Sequence, residues 1–568
     1  MNHGITYVTS IYTINEGEWS INHLKVLVDS GINLYIFLEK QMYDIIQPVL
    51  HDKQNIQYKI IDIGELKAYE IYVNIASQKE IKIPSFRNFE KDTLEYIIYT
   101  NTKAELLENA INENFYQTQY FAWIDFNIFC MIRQKECSQK WLRKLSQHHF
   151  LSTMFAIPGC IPKFNEKEYN DIVEHPFWRF CTSFFIADRD SMLQFCNIYY
   201  DYYLDFLQKY NRLIWDMNLM SWMELHSEKW KPHWYIANHN DSILYIPSQF
   251  YVKCLMHEGA EKTEYPYPPL LDHSMEMYPS SASYLYFHGK HILNTRYVNY
   301  YFRKDGHYHI HELNGTIYTK NVRCVLDDNT MMPLYYGEML ETSIGLSSAT
   351  RYSHGLEDLR IFEYMDKIWF VCTNVNYSYD GRNRIMIGEY DPEELCYRNC
   401  KILKPPTETM CEKNWIPILR SSNKEELFFI YSWFPMQIGI IAENDTLKII
   451  KTVTIREPLF YKIRGSSIFI KDPENPNTRL IGVVHYSEET FPRKYYHLLV
   501  VLDAESFEPI MYSDPFCFQH CGIEFCIGFT ITQKDQYIFW VSKNDNNAAM
   551  ITIDRNKIPI NNLIIYAH

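Results

Sequence analysis

The feature that most constrains this fold is a change of periodicity near residue 250. Before it, apolar runs at 5–13, 33–38 and 56–63 read as strands and alternate with stretches at helical spacing over 19–29 and 42–50. Leu94, Ile97, Ile98, Leu106, Leu107, Ala110 and Ile111 predict one long amphipathic helix over 93–114, followed by a buried strand at 120–124. Such alternation predicts a mostly parallel sheet covered on both faces, with ligands at the carboxyl ends of its strands. From about residue 283 onward the runs become short strands punctuated by turn residues, the texture of an all-β architecture. Between the two, EYPYPPLLDHS and MYPSS are rich in Pro and Ser and predict a connector. The expected division is an α/β, Rossmann-like domain over 1–250, a linker over 251–284 and an all-β domain over 285–568.

Composition narrows the partners. Over 568 residues, 47% hydrophobic content suffices for more than one buried core, and a net charge of −14 argues against nucleic acid, whose phosphates need a basic surface. The aromatic share of 16% fits a β-rich chain and also fits stacking on sugar rings. No run of 18 apolar residues predicts a membrane span, and MNHGITYVTSIYT reads as a first strand and not as a leader. The 14 scattered cysteines lack paired CxxC spacing, so reduced thiols in a cytoplasmic protein are expected.

In the first half, YFAWIDF (120–126) places Asp125 directly after a buried strand, with Asn127 completing an Asp-x-Asn pair. An acid there suits a metal or phosphate site, and equally suits a strand-end cap. Glycosyltransferases of the GT-A fold use an Asp-x-Asp at this point to bind Mn²⁺ or Mg²⁺ against a sugar diphosphate. Arg87, Lys91 and Asp92 precede the long helix, where cations or free helix N–H groups suit phosphate, or simply form a capped turn. Asp216 and Glu224 lie among Trp215, Leu219, Met220, Trp222 and Met223, and a carboxylate in apolar surroundings can serve as a base; Asp216 is the first choice.

The ordered segments TYVTSIYTI, RNFEKDTLEYIIYTNTK, YFAWIDF, HPFWRFCTSFFIADRDS, LIWDMNLMSWMEL and WYIANHNDSILYIP make residues 1–250 resemble the HtrL/YibB-like (WlaTC-type) glycosyltransferase-like proteins. The resemblance implies a GT-A-like fold and transfer from a nucleotide-sugar donor. It makes Asp125 the metal-site acid and His239, in ANHND, a further metal or phosphate ligand. Asp-x-Asn in place of Asp-x-Asp leaves metal dependence open.

In the second half, HGLEDLRIF (354–362) sets Glu357, Asp358 and Arg360 before a strand, and EKNWIPI, RGSS and VVHYSEETFPRKYYH follow. These segments resemble the five-bladed β-propeller family of β-mannoside phosphorylases, hydrolases and mannosyltransferases. The resemblance implies Asp358 as general acid beside Arg360, with Lys413 and Asn414 lining a sugar site. Arg464, His485, Arg493 and His497, joined by Asn294 and Arg296, form a cationic set suited to phosphate, which favours phosphorolysis or transfer. Glu524 is the candidate water-activating base that keeps hydrolysis open, because inverting hydrolysis needs a second carboxylate.

Three readings follow: a bifunctional enzyme with a nucleotide-sugar transferase and a second transferase or phosphorylase acting on one glycan acceptor; a single active GT-A module with a glycan-gripping propeller; or a noncatalytic glycan-binding protein.

Overall fold

The computed structural model describes residues 2–566 apart from 13–16, 51–52, 149, 163–168, 273–274, 304, 313, 349–351, 423–424, 491 and 565. The chain divides into two compact units, Met1–Tyr251 and Val252–His568.

The first unit is an α/β layer structure around seven strands: β1 (Asn2–Ile11), β2 (Asn33–Glu39), β3 (Ile56–Ile61), β4 (Thr118–Ile124), β5 (Phe155–Gly159), β6 (Phe184–Asp188) and β7 (His233–Ile236). Their order is β3-β2-β1-β4-β6-β5-β7. The sheet is mixed. β1 runs parallel to β2 and β4, β2 to β3, and β5 to β7, but β6 is antiparallel to both β4 and β5. The central strands are buried almost throughout, as continuous apolar runs such as LYIFL and YFAWI require when helices cover both faces.

The long helix expected over 93–114 is two helices, Leu94–Thr100 and Lys103–Glu113. Thr93 caps the first through its hydroxyl, which accepts the Tyr96 N–H at 3.2 Å. Buried Asn101 ends it: its side-chain amide donates to the carbonyls of Ile97 (2.8 Å) and Ile214 (2.9 Å). The break turns Lys103 inward, where it is 8% exposed.

The second unit is all-β and propeller-like. Antiparallel four-stranded meanders cover 357–403 (Glu357–Tyr364, Lys367–Asn374, Arg384–Asp391, Cys396–Leu403) and 416–453 (Ile416–Leu419, Leu427–Trp433, Met436–Ile441, Leu447–Val453). A third four-stranded sheet combines Glu524–Ile531, Gln536–Lys543 and Asn547–Asp554 with Glu261–Glu264. The remaining large sheets are six-stranded, around Met275–Phe287 and Lys290–Val298, and eight-stranded, around Arg479–Glu488 and Lys494–Asp503. Five matched blades are therefore not what the unit contains, because extra short strands enlarge two of its sheets.

The expected linker over 251–284 is corrected as well. Glu261–Glu264 pairs with Asn547–Asp554 and Met275–Phe287 pairs with Lys290–Val298, so these residues are sheet and not connector. Their Pro content misled because Pro266, Pro268 and Pro269 fall between strands and Pro279 sits beside a register shift within Met275–Phe287, places where a missing ladder N–H is tolerated.

Candidate functional sites

In the first unit, β4 delivers Asp125 to the carboxyl edge of the sheet, where its N–H donates to the Ser183 carbonyl at 2.8 Å. The Trp123 indole N–H donates to Asp125 Oδ1 at 2.7 Å. Lys103 Nζ lies 2.8 Å from Asp216 Oδ2 and 3.6 Å from Asp125 Oδ1, and donates to the Thr182 carbonyl at 2.9 Å. Burial alone would depress the Lys103 ammonium, but Asp125 and Asp216 outweigh it and hold its pKa above the usual lysine value. Sequence reasoning missed Lys103. The available signal was a buried Asn-Thr-Lys interrupting an otherwise helical apolar pattern.

The expected roles change accordingly. Asp216 is buried, but it partners the Lys103 ammonium and is not an isolated base in apolar surroundings. Glu224 is held bidentately by Arg179 at 2.6 and 2.7 Å. Arg87 is spent on its own loop, donating to the carbonyls of Asp92 (3.1 Å) and Pro84 (2.9 Å), while Asp92 accepts the Asn88 N–H at 3.1 Å. Lys91 lies over the Tyr96 ring at 5.4 Å. Burial, then the charges of Asp125, Asp216 and Asp92, push the Tyr96 hydroxyl up, so Tyr96 and Lys91 belong to the neighbourhood of the acids. Asn127 opens the turn over 128–130, its carbonyl accepting the Cys130 N–H at 2.9 Å.

A Mg²⁺ or Mn²⁺ clamp at Asp125 does not fit this arrangement. One carboxylate oxygen is committed to an indole N–H and faces an ammonium, and Asn127 supplies no second carboxylate. His239 is placed elsewhere: among the described residues, the metal-capable side chains gathered within 4.8 Å of one another are Cys160, Cys181 and His239. The His239 ring meets Trp178 edge-on at 4.3 Å, and burial lowers its pKa.

The second unit holds a cavity of about 510 Å³. It gathers Arg296, Asp358, Lys413, Asn414, Arg464, His485 and Arg493 from the sequence-predicted set, and adds Glu357, Tyr300, Tyr308, Tyr495, Phe525 and Asp545. Asp358 Oδ1 accepts from Arg296 Nη1 at 2.9 Å and from Ser281 at 3.3 Å. Asp358, Asn414 and Asp545 all have left-handed backbone, with φ of 51°, 63° and 58°, a strained state that Asp and Asn tolerate best and that recurs at functional sites.

Charge separates the carboxyl groups. Burial raises Glu357, but Lys413, 3.0 Å away, and Arg296 overcome that and hold it below the usual range. Burial pushes Asp545 up to about 6, with Arg296 opposing and Asp358 and Glu357 adding to the rise. Asp545 accepts the Tyr300 hydroxyl at 3.2 Å, and its loop is fixed by the Asn544 N–H donating to Ile523 at 2.9 Å. One cavity thus presents an ionised carboxylate and a carboxyl that keeps its proton into mildly acidic pH.

Several expected ligands are engaged by the protein's own groups or are uncharged. Asn294 is buried in its own network, donating to Asn321 at 2.8 Å and accepting from Tyr390 at 3.1 Å. Arg360 is buried and positions the cavity wall, bonding the carbonyls of Ser466 (2.5 Å) and Asp358 (2.9 Å) and Asn414 Oδ1 (3.0 Å). His485 is neutral, pushed well below the usual value by burial, His497, Arg360 and Arg464. His497 is fully buried against Phe518, and burial pushes it down to about 3. Neither histidine is a cation. Glu524 accepts the N–H groups of Phe518 (2.7 Å), Gln519 (2.8 Å) and His520 (3.1 Å), so its carboxylate holds a loop. Arg464 forms no ion pair among the described residues, while Arg493 pairs with exposed Glu489 at 2.8 Å.

One family model agrees with the motif resemblance of the first unit. The family described as "Bacterial protein of unknown function (HtrL_YibB)" matches residues 3–209. No curated protein matches the chain. Among solved structures, MPT-4, a mannose phosphorylase from Leishmania mexicana in complex with phosphate ion, is 13% identical over 54% of this chain and 94% of its own, with a TM-score of 0.30. MPT-1, a GDP-Man-dependent mannosyltransferase from Leishmania mexicana, is 12% identical over 51% and 91%, with a TM-score of 0.32. An exo-1,5-alpha-L-arabinanase from a bovine ruminal metagenomic library is 11% identical over 53% and 99%, with a TM-score of 0.29. Among the described residues, no helix is long and apolar enough to cross a membrane.

Proposed function

We propose that this chain is a glycan-acting enzyme with two sites: a GT-A-like nucleotide-sugar transferase in the first unit and a glycosyl phosphorylase or transferase in the second. The observation that carries the reading is the cavity of the second unit, where Glu357 is held ionised and Asp545 holds its proton up to about pH 6. Carboxyl groups pushed apart by their surroundings are the means of assigning acid and base roles.

Asp545, which keeps its proton up to about pH 6, protonates the departing glycosidic oxygen, and Asp358, held in place by Arg296, orients that oxygen. Arg464, with Arg493 once released from Glu489, binds an attacking or departing phosphate. Tyr308, Tyr495 and Phe525 supply aromatic faces for the sugar. Glu524 is bound by three backbone N–H groups and Glu357 is ion-paired with Lys413 and Arg296, so neither is free to activate water, which favours phosphate over hydrolysis.

In the first unit, the mixed sheet with an acid at the end of β4 supports the GT-A-like reading. Lys103 fixes Asp125 and Asp216 at the carboxyl edge of the sheet, where a sugar diphosphate would bind. No step is routed through a metal at Asp125. Separate Asp125→Asn and Asp358→Asn variants, assayed with nucleotide sugars (with and without Mn²⁺) and with sugar phosphates, test the two sites. Each change should abolish one activity and spare the other; full retention of both activities in both variants would falsify the assignment.

A further inference from the structure

Cys160, Cys181 and His239 come from separate segments that the sheet brings to one edge. Cys160 follows β5, Cys181 precedes the reversed β6, and His239 follows β7. Because β5 and β7 are parallel and β6 opposes β5, the end of β5, the start of β6 and the end of β7 all fall on the same side.

Backbone bonds set the approach. The Cys160 N–H donates to the Trp178 carbonyl at 2.9 Å, the Cys181 N–H to the Pro158 carbonyl at 2.7 Å, and the Ala237 N–H to the Gly159 carbonyl at 2.9 Å. Gly159 makes this closeness possible, since a Cβ there would lie 1.8 Å from the Arg179 carbonyl oxygen. The two thiol sulfurs stand 3.7 Å apart, and one donor atom from each of Cys160, Cys181 and His239 falls within 4.8 Å of the others.

We propose that Cys160, Cys181 and His239 form a binding site for a borderline-soft divalent cation, with Zn²⁺ the fitting ion. Two thiolates and an imidazole match the ligand preference of Zn²⁺ and disfavour Mg²⁺ or Mn²⁺, which take oxygen donors. Sulfurs 3.7 Å apart suit two ligands at about 2.3 Å on one tetrahedral centre. Three protein ligands leave a fourth position for water or an anionic oxygen. His239 is exposed and Cys160 half-buried, so that position opens toward solvent at the ligand-binding edge of the sheet. Binding releases the thiol protons, so affinity rises with pH.

The test uses the full chain, stripped with chelator under reducing conditions and titrated with Zn²⁺ and, as a spectroscopic probe, Co²⁺. The expected result is about one tightly held Zn²⁺ per chain and a thiolate-to-cobalt charge-transfer absorption. Cys160→Ser and Cys181→Ser should abolish that absorption, and His239→Ala should weaken Zn²⁺ binding by roughly tenfold or more. Cys181 is buried and its change can compromise folding, whereas His239 lies at the surface, so His239→Ala with unchanged circular dichroism carries the test alone. Absence of metal uptake by the reduced protein overturns the proposal. So does uptake that all three variants leave unchanged, which would locate it at the other cysteines, or a sulfur pair that forms a disulfide and never takes metal.

Discussion

Asp545 lies in a hairpin loop, KNDNN, whose composition reads only as a turn, yet the fold sets its carboxyl into the cavity beside Tyr300. Its folded pKa of about 6 exceeds the unfolded value, so the folded state binds more protons between about pH 4 and 6 and loses stability as pH rises through that window. Asp545→Asn should therefore raise the melting temperature at pH 7–8, by the equivalent of about 1–2 kcal/mol, and give no gain near pH 4. The same variant should lower turnover by about 10²–10⁴-fold, measured against wild type below pH 6. His497 has the opposite sign. Its folded pKa of about 3 lies below the unfolded value, so stability is complete above about pH 6.5 and falls as pH drops toward 3. A denaturation series on His497→Phe should show a flatter acid limb than wild type. Lys103 is the third such residue: Lys103→Met strands Asp216, 4% exposed, without its counter-charge, and urea titration should show a loss of about 3–5 kcal/mol.

Elements carry the next constraints. β1, β2 and β4 were legible because each is a short apolar run of the composition that parallel burial demands; β3, at the sheet's edge and half exposed, was legible from its β-branched and aromatic content alone. The reversal of β6 was not, since FFIAD reads the same in either direction. The split of the 93–114 helix was hidden for a similar reason: Asn101 serves a distant carbonyl, that of Ile214, and no local rule anticipates it. Gly159→Ala tests the edge of β5 directly. The added methyl meets the Arg179 carbonyl, so thermal melts should show a loss of about 2–3 kcal/mol. Deleting Glu261–Glu264 leaves Asn547–Asp554 as an open edge. Limited proteolysis should then cleave near the chain's end, and unchanged resistance would show that this closing strand is dispensable.

For the whole molecule, the change of texture near residue 250 marks where two compact units meet in the chain, but the Pro-rich stretch after it belongs to the second unit's sheets. Candidate sites were legible where a motif and a strand end coincide, as at Asp125 and Asp358. They were illegible where distant loops converge, as at Lys103, Asp545 and the pair Cys160–Cys181. Histidines counted as cations from sequence proved neutral because burial, which sequence does not display, decides their charge. Acid-assisted glycosyl transfer to or from phosphate in the second unit's cavity, as proposed above, is open to direct assay. The most direct measurement is phosphate release from a panel of hexose 1-phosphates in the presence of acceptor sugars, using the full chain. On this proposal release should decline below about pH 6, because in this direction Asp545 takes the proton of the acceptor hydroxyl; it should be abolished by Asp358→Asn and Asp545→Asn, weakened by Arg464→Ala and untouched by Asp125→Asn. Release that persists in the Asp358 and Asp545 variants, or that disappears with Asp125→Asn instead, would contradict it.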